Sequence, residues 1–218
     1  MAIHLLRDLE RLKKEIVLLG AMVEDALLKA IVALFDRRPD LAEEVMKGDR
    51  DVDQREIRVE EECLKILALH QPVASDLRFV VAIMKVNNDL ERVGDLAGNI
   101  AERAVDLSGQ EAIPFPQELQ AMSKAVPRML RDSLDSLLRL DIDAARQVLK
   151  EDDEIDEMHR GLYALIEERI REKPEHLRRL IQILSVSRYF ERIADAATNI
   201  AEDVVFLVEG EVVRHRSW

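Results

Sequence analysis

The chain has 218 residues, 48% of them hydrophobic and 35% charged but only 4% aromatic, with 7 Gly and 6 Pro. That mix favours long helices packed with aliphatic side chains and excludes a β-sandwich, which draws on aromatic and β-branched residues and frequent turns. A formal net charge of -12 repels phosphate backbones, so nonspecific nucleic-acid binding is excluded and cations or basic protein surfaces are the expected partners.

The first element carries Leu5, Leu9, Leu12, Ile16, Leu19, Val23, Leu27, Ala30 and Leu34 at three- and four-residue intervals, one apolar stripe of a long helix. Arg37-Arg38-Pro39-Asp40 ends it. A short helix from Asp40 to Lys47 is predicted to stop at Gly48, and Asp49 to cap a further helix reaching about Leu69. After the break His70-Gln71-Pro72, Ser75-Asp76 reads as a capped start. The helix that follows runs through Leu77, Val80, Ile83, Val86, Leu90, Val93 and Ile100 to about Leu107.

Ser108-Gly109 and Ile113-Pro114-Phe115-Pro116 are the clearest punctuation in the chain, because two prolines forbid a continuous helix. The boundary between halves falls there, with units at 1–109 and 117–218 and a linker at 110–116. The second half repeats the grammar of the first. It reads as a helix from Leu119 to Leu140, a short piece from Ile142 to Lys150, a helix from Asp152 to Ile170, a Lys173-Pro174 break and a last helix to about Val208. Arg214 to Trp218 is expected to fray.

The repeat extends to residue identity. Glu91-Arg92-Val93-Gly94-Asp95 and Asn99-Ile100-Ala101-Glu102 return as Glu191-Arg192-Ile193-Ala194-Asp195 and Asn199-Ile200-Ala201-Glu202, at a constant offset (191 − 91 = 100). Earlier stretches match at slightly different offsets, Met22 to Leu27 with Met129 to Leu134 and Lys47-Gly48-Asp49 with Lys150-Glu151-Asp152. Each half is therefore a three-helix unit, and the apolar stripes leave open whether the units stack side by side or end to end.

At about 100° per residue, Glu91, Asp95, Asn99 and Glu102 share one face of their helix while Leu90, Val93, Ala97, Ile100 and Ala104 share the opposite one. Two carboxylates one turn apart with a carboxamide beyond them make half of an oxygen-rich cation site. A neighbouring helix must supply the rest. Glu24 and Asp25 on the first helix and Asp132 and Asp135 on the fourth hold matching places in the repeat and are the candidate donors. All-oxygen ligation selects hard ions, Mg, Mn or ferric Fe, over Zn or Cu. A solvated face, its repulsion offset by Arg92 and Arg192, is the competing reading for one copy; duplication with Arg and Asn intact favours ligand binding.

Gly94 and Ala194 stand where a helix-bundle di-metal oxygenase needs His, which counts against that enzyme class. Asp156 and His159 form the one carboxylate–His pair at this spacing and read better as a solvated polar pair. Cys63 reads as an apolar filler. No Gly-rich phosphate loop, nucleophile elbow or Cys-rich metal cluster is present, so the expectation is a protein that is not an enzyme. No apolar run approaches the roughly 20 residues that cross a bilayer, and Arg7, Asp8 and Glu10 precede any apolar segment of a secretory signal, so a cytoplasmic location without membrane insertion is expected.

Gln71-Pro72-Val73-Ala74-Ser75-Asp76-Leu77-Arg78, then Leu90-Glu91-Arg92-Val93-Gly94-Asp95 and Phe190-Glu191-Arg192-Ile193-Ala194-Asp195, in this order and across an internal repeat, resemble the PhoU family. Ala194 departs from the Gly of the family's motif, a small-for-small change. The resemblance implies an all-α fold of two tandem three-helix bundles and multinuclear metal sites built around Glu91, Asp95, Glu191 and Asp195. It implies a negative regulator linking the phosphate-specific ABC transporter to the phosphate-starvation two-component response. The implied partners are the transporter's ATPase subunit and the sensor histidine kinase, with a homodimer also allowed. A structural helical spacer without metal is the alternative.

Overall fold

The computed structural model describes residues 2–210, so the expected fraying of Arg214 to Trp218 lies outside the described residues. Six long helices follow one another: α1 (Ala2–Phe35), α2 (Pro39–His70), α3 (Ala74–Ser108), α4 (Gln117–Arg139), α5 (Ile142–Glu172) and α6 (Leu177–Glu209), with one 3-10 turn, Pro174–His176, before α6. Among the described residues there is no strand, and no helix is long and apolar enough to cross a membrane. The two bundles, α1–α3 and α4–α6, are the two halves of the repeat.

The stripe of α1 is buried as its spacing requires, with Leu12, Leu19, Val23, Leu27 and Ala30 fully enclosed. Arg37, in the left-handed region at φ 55, turns the chain, and Pro39 occupies the first turn of α2, where its missing N–H has no intrahelical partner to lose.

Two expected breaks are absent. α2 passes through Gly48 and Asp49, and α5 through Glu151 and Asp152, without interruption. A glycine inside a helix costs about 1 kcal/mol relative to alanine. Burial outweighs it, because Ala42, Val45, Val52, Val59, Cys63 and Ile66 form one buried stripe in a single register on both sides of Gly48. Ala145, Val148, Ile155, Leu162 and Ile166 do the same in α5. Asp49 therefore caps nothing. Ser75 is not a cap either, since α3 begins at Ala74 with Val73 in the capping position and no side-chain hydrogen bond there.

The halves lie side by side, joined chiefly through α3 and α6. Lys85 donates to Asp203, Asn199 to Asp89 and Gln182 to Asp106, at 2.8, 3.2 and 3.4 Å. Partners advance along α3 as they recede along α6, so the helices are antiparallel and the repeat equivalents Gly94 and Ala194 sit at one level. A single hydrophobic core runs through both bundles. The 109–116 segment is tied to both, through Arg37 to the Ser108 and Gln110 carbonyls, Arg179 to the Glu111 carbonyl, and Phe35 packed on Phe115.

Candidate metal centres in the two halves

The heptad register of α2 has a consequence for charge. Between the apolar positions Ala42, Val45, Val52, Val59, Cys63 and Ile66, the steps of three and four fall on Asp49 and Glu56. In α5 the same register places Asp152 and His159 between Val148, Ile155 and Leu162. Polar groups thus stand on the core-facing stripe of the middle helix of each bundle, turned toward the acids of α3 and α6. Asp53 and Asp156 occupy equivalent places one turn beyond Asp49 and Asp152.

In the first half Glu91 and Asp95 of α3 share a field with Asp49, Asp53 and Glu56 of α2. Burial, and then repulsion from Asp95, Asp53, Glu56 and Asp49, pushes the Glu91 carboxyl above the usual range. Burial raises Asp49 likewise, with Asp53 and Asp95 adding to it, and raises Glu56 with Glu60 and Asp53. Asp49, Asp95, Asn99 and Glu102 line one open hollow of about 320 Å³ beside Met46 and Gly98. Beneath them Asn87, 1% exposed, donates to the Glu56 carboxylate at 2.6 Å and its carbonyl at 3.1 Å, and its own Oδ1 is buried without a partner.

The second half repeats the cluster with two changes, His159 for Glu56 and Ser187 for Asn87. Burial, followed by the charges of Asp195, Asp156, Asp153 and Glu191, pushes Asp152 up to about 7. Asp195 is raised by burial and Asp156 against the pull of Arg92 and Arg192, and Glu191 by burial, Asp195 and Asp156. Ser187 Oγ donates to the Leu184 carbonyl, so His159 Nδ1–H donates to Ser187 Oγ, at 2.9 Å, and Nε2 carries the lone pair. Burial lowers the His159 pKa, against the opposing pull of Asp156.

The acids expected to complete each site have charged neighbours of their own. Asp25 borders a hollow of about 380 Å³ that Asp49 and Gly94 also line, but its carboxylate is paired with Lys29 at 2.9 Å. Asp132 faces Glu151 and is raised by burial and that charge. Asp135 pairs with Arg139 at 3.9 Å, and Glu24 with Arg131 at 3.4 Å across the α1–α4 seam. Asn199 spends its amide on Asp89, at the seam between the halves. Of the two motif arginines, Arg92 reaches across to the field of Asp195, in the other half's cluster.

As placed, no three His, Cys, Asp or Glu side chains among the described residues are arranged to hold a metal ion. The donor chemistry nonetheless suits a hard cation: carboxylates on two packed helices, partly desolvated, mutually repelling, with an orphaned amide oxygen below the first cluster.

Asp53, Glu56 and Asn87, which packing sets beside Glu91, do not stand out in the sequence, and Asp49 reads there as a cap. The readable signal was acids in core register within a repeated stretch.

Comparison with known proteins bears on the family and the two-bundle fold. A family model described as PhoU domain matches twice, at residues 16–104 and 119–204. The chain is 38% identical over 212 residues to a protein of Aquifex aeolicus named phosphate-specific transport system accessory protein PhoU homolog, covering 97% of this chain and 96% of that one. It is 34% identical over 208 residues to the Escherichia coli protein named phosphate-specific transport system accessory protein PhoU, covering 95% and 86%. The crystal structure of PhoU from Pseudomonas aeruginosa superposes with a TM-score of 0.91 at 35% identity, over 94% of this chain and 99% of that chain. The phosphate transport system regulatory protein PhoU from Streptococcus pneumoniae gives 0.86 at 32%, over 96% and 99%. With both halves matched and the six-helix architecture shared, this chain belongs to the PhoU family, whose members are accessory and regulatory proteins of phosphate transport.

Proposed function

We propose that the protein is a cytoplasmic, cation-binding regulator that restrains phosphate uptake through the phosphate-specific ABC transporter and the phosphate-starvation two-component response. The observation that carries the cation part is the duplicated cluster: acids on the core-facing stripe of α2 and α5, set against Glu91-Asp95 and Glu191-Asp195. Burying unpaired carboxylates opposes folding. A cation bound between the two helices of each cluster offsets that opposition.

Asp49, Asp53, Glu56, Glu91 and Asp95 supply oxygen ligands in the first half, suited to Mg, Mn or Fe. Asp152, Asp156, Glu191 and Asp195 do so in the second, with His159 Nε2 as a nitrogen donor. The names of the relatives support the transport role. Contact with the transporter's ATPase subunit and the sensor histidine kinase follows from that role, and the regulator acts by binding rather than by catalysis.

The metal claim is tested by elemental analysis of protein never exposed to chelators. Glu91→Ala with Asp95→Ala is expected to remove roughly half of the bound metal. Equal metal in wild type and variant, or none in either, would leave the structural spacer as the better reading. For the regulatory role, deletion is expected to derepress the starvation response in phosphate-replete cells, and unchanged reporter output sinks it.

A further inference from the structure

The end of the first bundle, where α1 begins and α2 finishes, is basic on a chain whose net charge is -12. A hollow of about 480 Å³ there is lined by His4, Arg7, Arg11, Lys65 and His70, with Asp8 as the one carboxylate on its wall. Asp8 is already engaged, held by His70 Nε2 at 3.0 Å and by Arg7 at 3.5 Å. Arg11 and Lys65 share one counter-charge, Glu62, at 3.3 and 3.4 Å. Those contacts lie at the long end of hydrogen bonding, and the two cationic side chains are 58% and 45% exposed, so both keep donors turned to solvent. Arg7, 71% exposed, has the one long contact to Asp8.

The internal repeat supplies a control for whether packing demands this composition. The burial patterns of α2 and α5 coincide at the 103-residue offset set by Asp49 and Asp152 as far as Cys63 and Ile166, and part at the helix end, where buried Ile66 corresponds to half-buried Arg169. At the equivalent end of the second bundle, that offset puts Glu168 where α2 has Lys65, and the 107-residue offset set by Met22 and Met129 puts Glu118 where α1 has Arg11. Cations at these two places are therefore a feature of the first bundle and not of the repeat.

We infer that this end of the first bundle binds a phosphate-type oxyanion, with Arg7, Arg11 and Lys65 donating to its oxygens and His70, pinned by Asp8, forming the floor. Two arginine forks and a lysine lining one hollow offer bidentate and point-charge donors of the kind that phosphate oxygens accept. The group is free phosphate or a phosphate carried on a lipid headgroup, and its binding is independent of the acidic clusters on α2 and α5.

The test is calorimetric titration of the full chain with inorganic phosphate in EDTA, which removes cations from the acidic clusters. A parallel arm measures co-sedimentation with vesicles containing phosphatidic acid against vesicles of phosphatidylcholine alone. Binding in either arm, weakened at least about tenfold in the Arg11→Gln/Lys65→Gln variant and unchanged in Arg139→Gln on α4, supports the site and identifies its source. Absence of binding in both arms, equal binding by the double variant, or equal loss in Arg139→Gln overturns it. Both substituted side chains are largely solvated, and unchanged helicity and melting of the double variant separate lost binding from lost fold.

Discussion

Lys85 of α3 and Asp203 of α6 meet at 2.8 Å across the seam between the two halves, and the Asp203 side chain is only 4% exposed. Lys85 also lies over the Phe206 ring, 5.1 Å from its centroid. The pair thus ties the bundles together where their shared core leaves room for one desolvated carboxylate. Replacing Lys85 by Met keeps the stem packing and removes the cation beside that carboxylate. The expected loss is about 2 kcal/mol, discounted from the cost of breaking a fully buried pair because Lys85 is partly solvated. In a chain of this size that is a fall of roughly 4–8 °C in Tm, read by calorimetry. An unchanged Tm would show that the seam does not depend on this pair.

The second cluster sets a pH dependence. Asp152 is pushed up to about 7, above its unfolded value of 3.8, so the folded chain holds a proton that the unfolded chain releases. Stability of the cation-free protein therefore falls as pH rises between about 4 and 7 and levels off above that. The loss is on the order of 2 kcal/mol after allowance for solvent screening. Asp152→Asn is expected to flatten the profile measured in EDTA. Divalent cations should stabilise the wild type more at pH 8 than at pH 5, because protonation competes with ligation.

On the proposed reading the middle helices supply part of each ligand set. Asp49→Ala with Asp53→Ala is expected to lower bound metal as much as Glu91→Ala with Asp95→Ala. Asp135→Ala, whose carboxylate pairs with Arg139, should leave it unchanged. Elemental analysis decides between these outcomes, and a loss confined to Asp135→Ala would transfer the site to α4.

Gly48 lies inside α2 with nothing within 4 Å of an added Cβ. Gly48→Ala should stabilise the chain by about 0.5–1 kcal/mol, seen as a higher urea midpoint with unchanged slope. Gly94 is the contrasting case, since a Cβ there meets Val52 Cγ1 at 3.1 Å. Gly94→Ala should give no such gain, because the added methyl crowds the Val52 side chain of α2.

The periodic stripes made the long helices legible in the sequence, since burying a face at three- and four-residue steps needs nothing beyond the chain itself, and residue identities made the repeat legible. Leu12, Leu19, Val23 and Leu27 are buried as their spacing requires. The sequence misled at Gly48-Asp49 and Ser75, where local capping signals compete with burial that only packing supplies. Matching places in a repeat also do not say which acids of the first and fourth helices, Asp25, Asp132 and Asp135 among them, stand beside each cluster; Asp25 borders the hollow that Asp49 and Gly94 line.

Composition and repetition by themselves determined an all-helical, twofold-repeated chain with an acidic stripe in each half. Tertiary structure alone decided the neighbours. Packing set α3 antiparallel to α6 and turned Asp49, Asp53 and Glu56 toward Glu91 and Asp95, with Asp152 and Asp156 toward Glu191 and Asp195. The reason is physical: periodicity fixes which side of a helix is buried, whereas the partner it is buried against depends on how all six helices share one core.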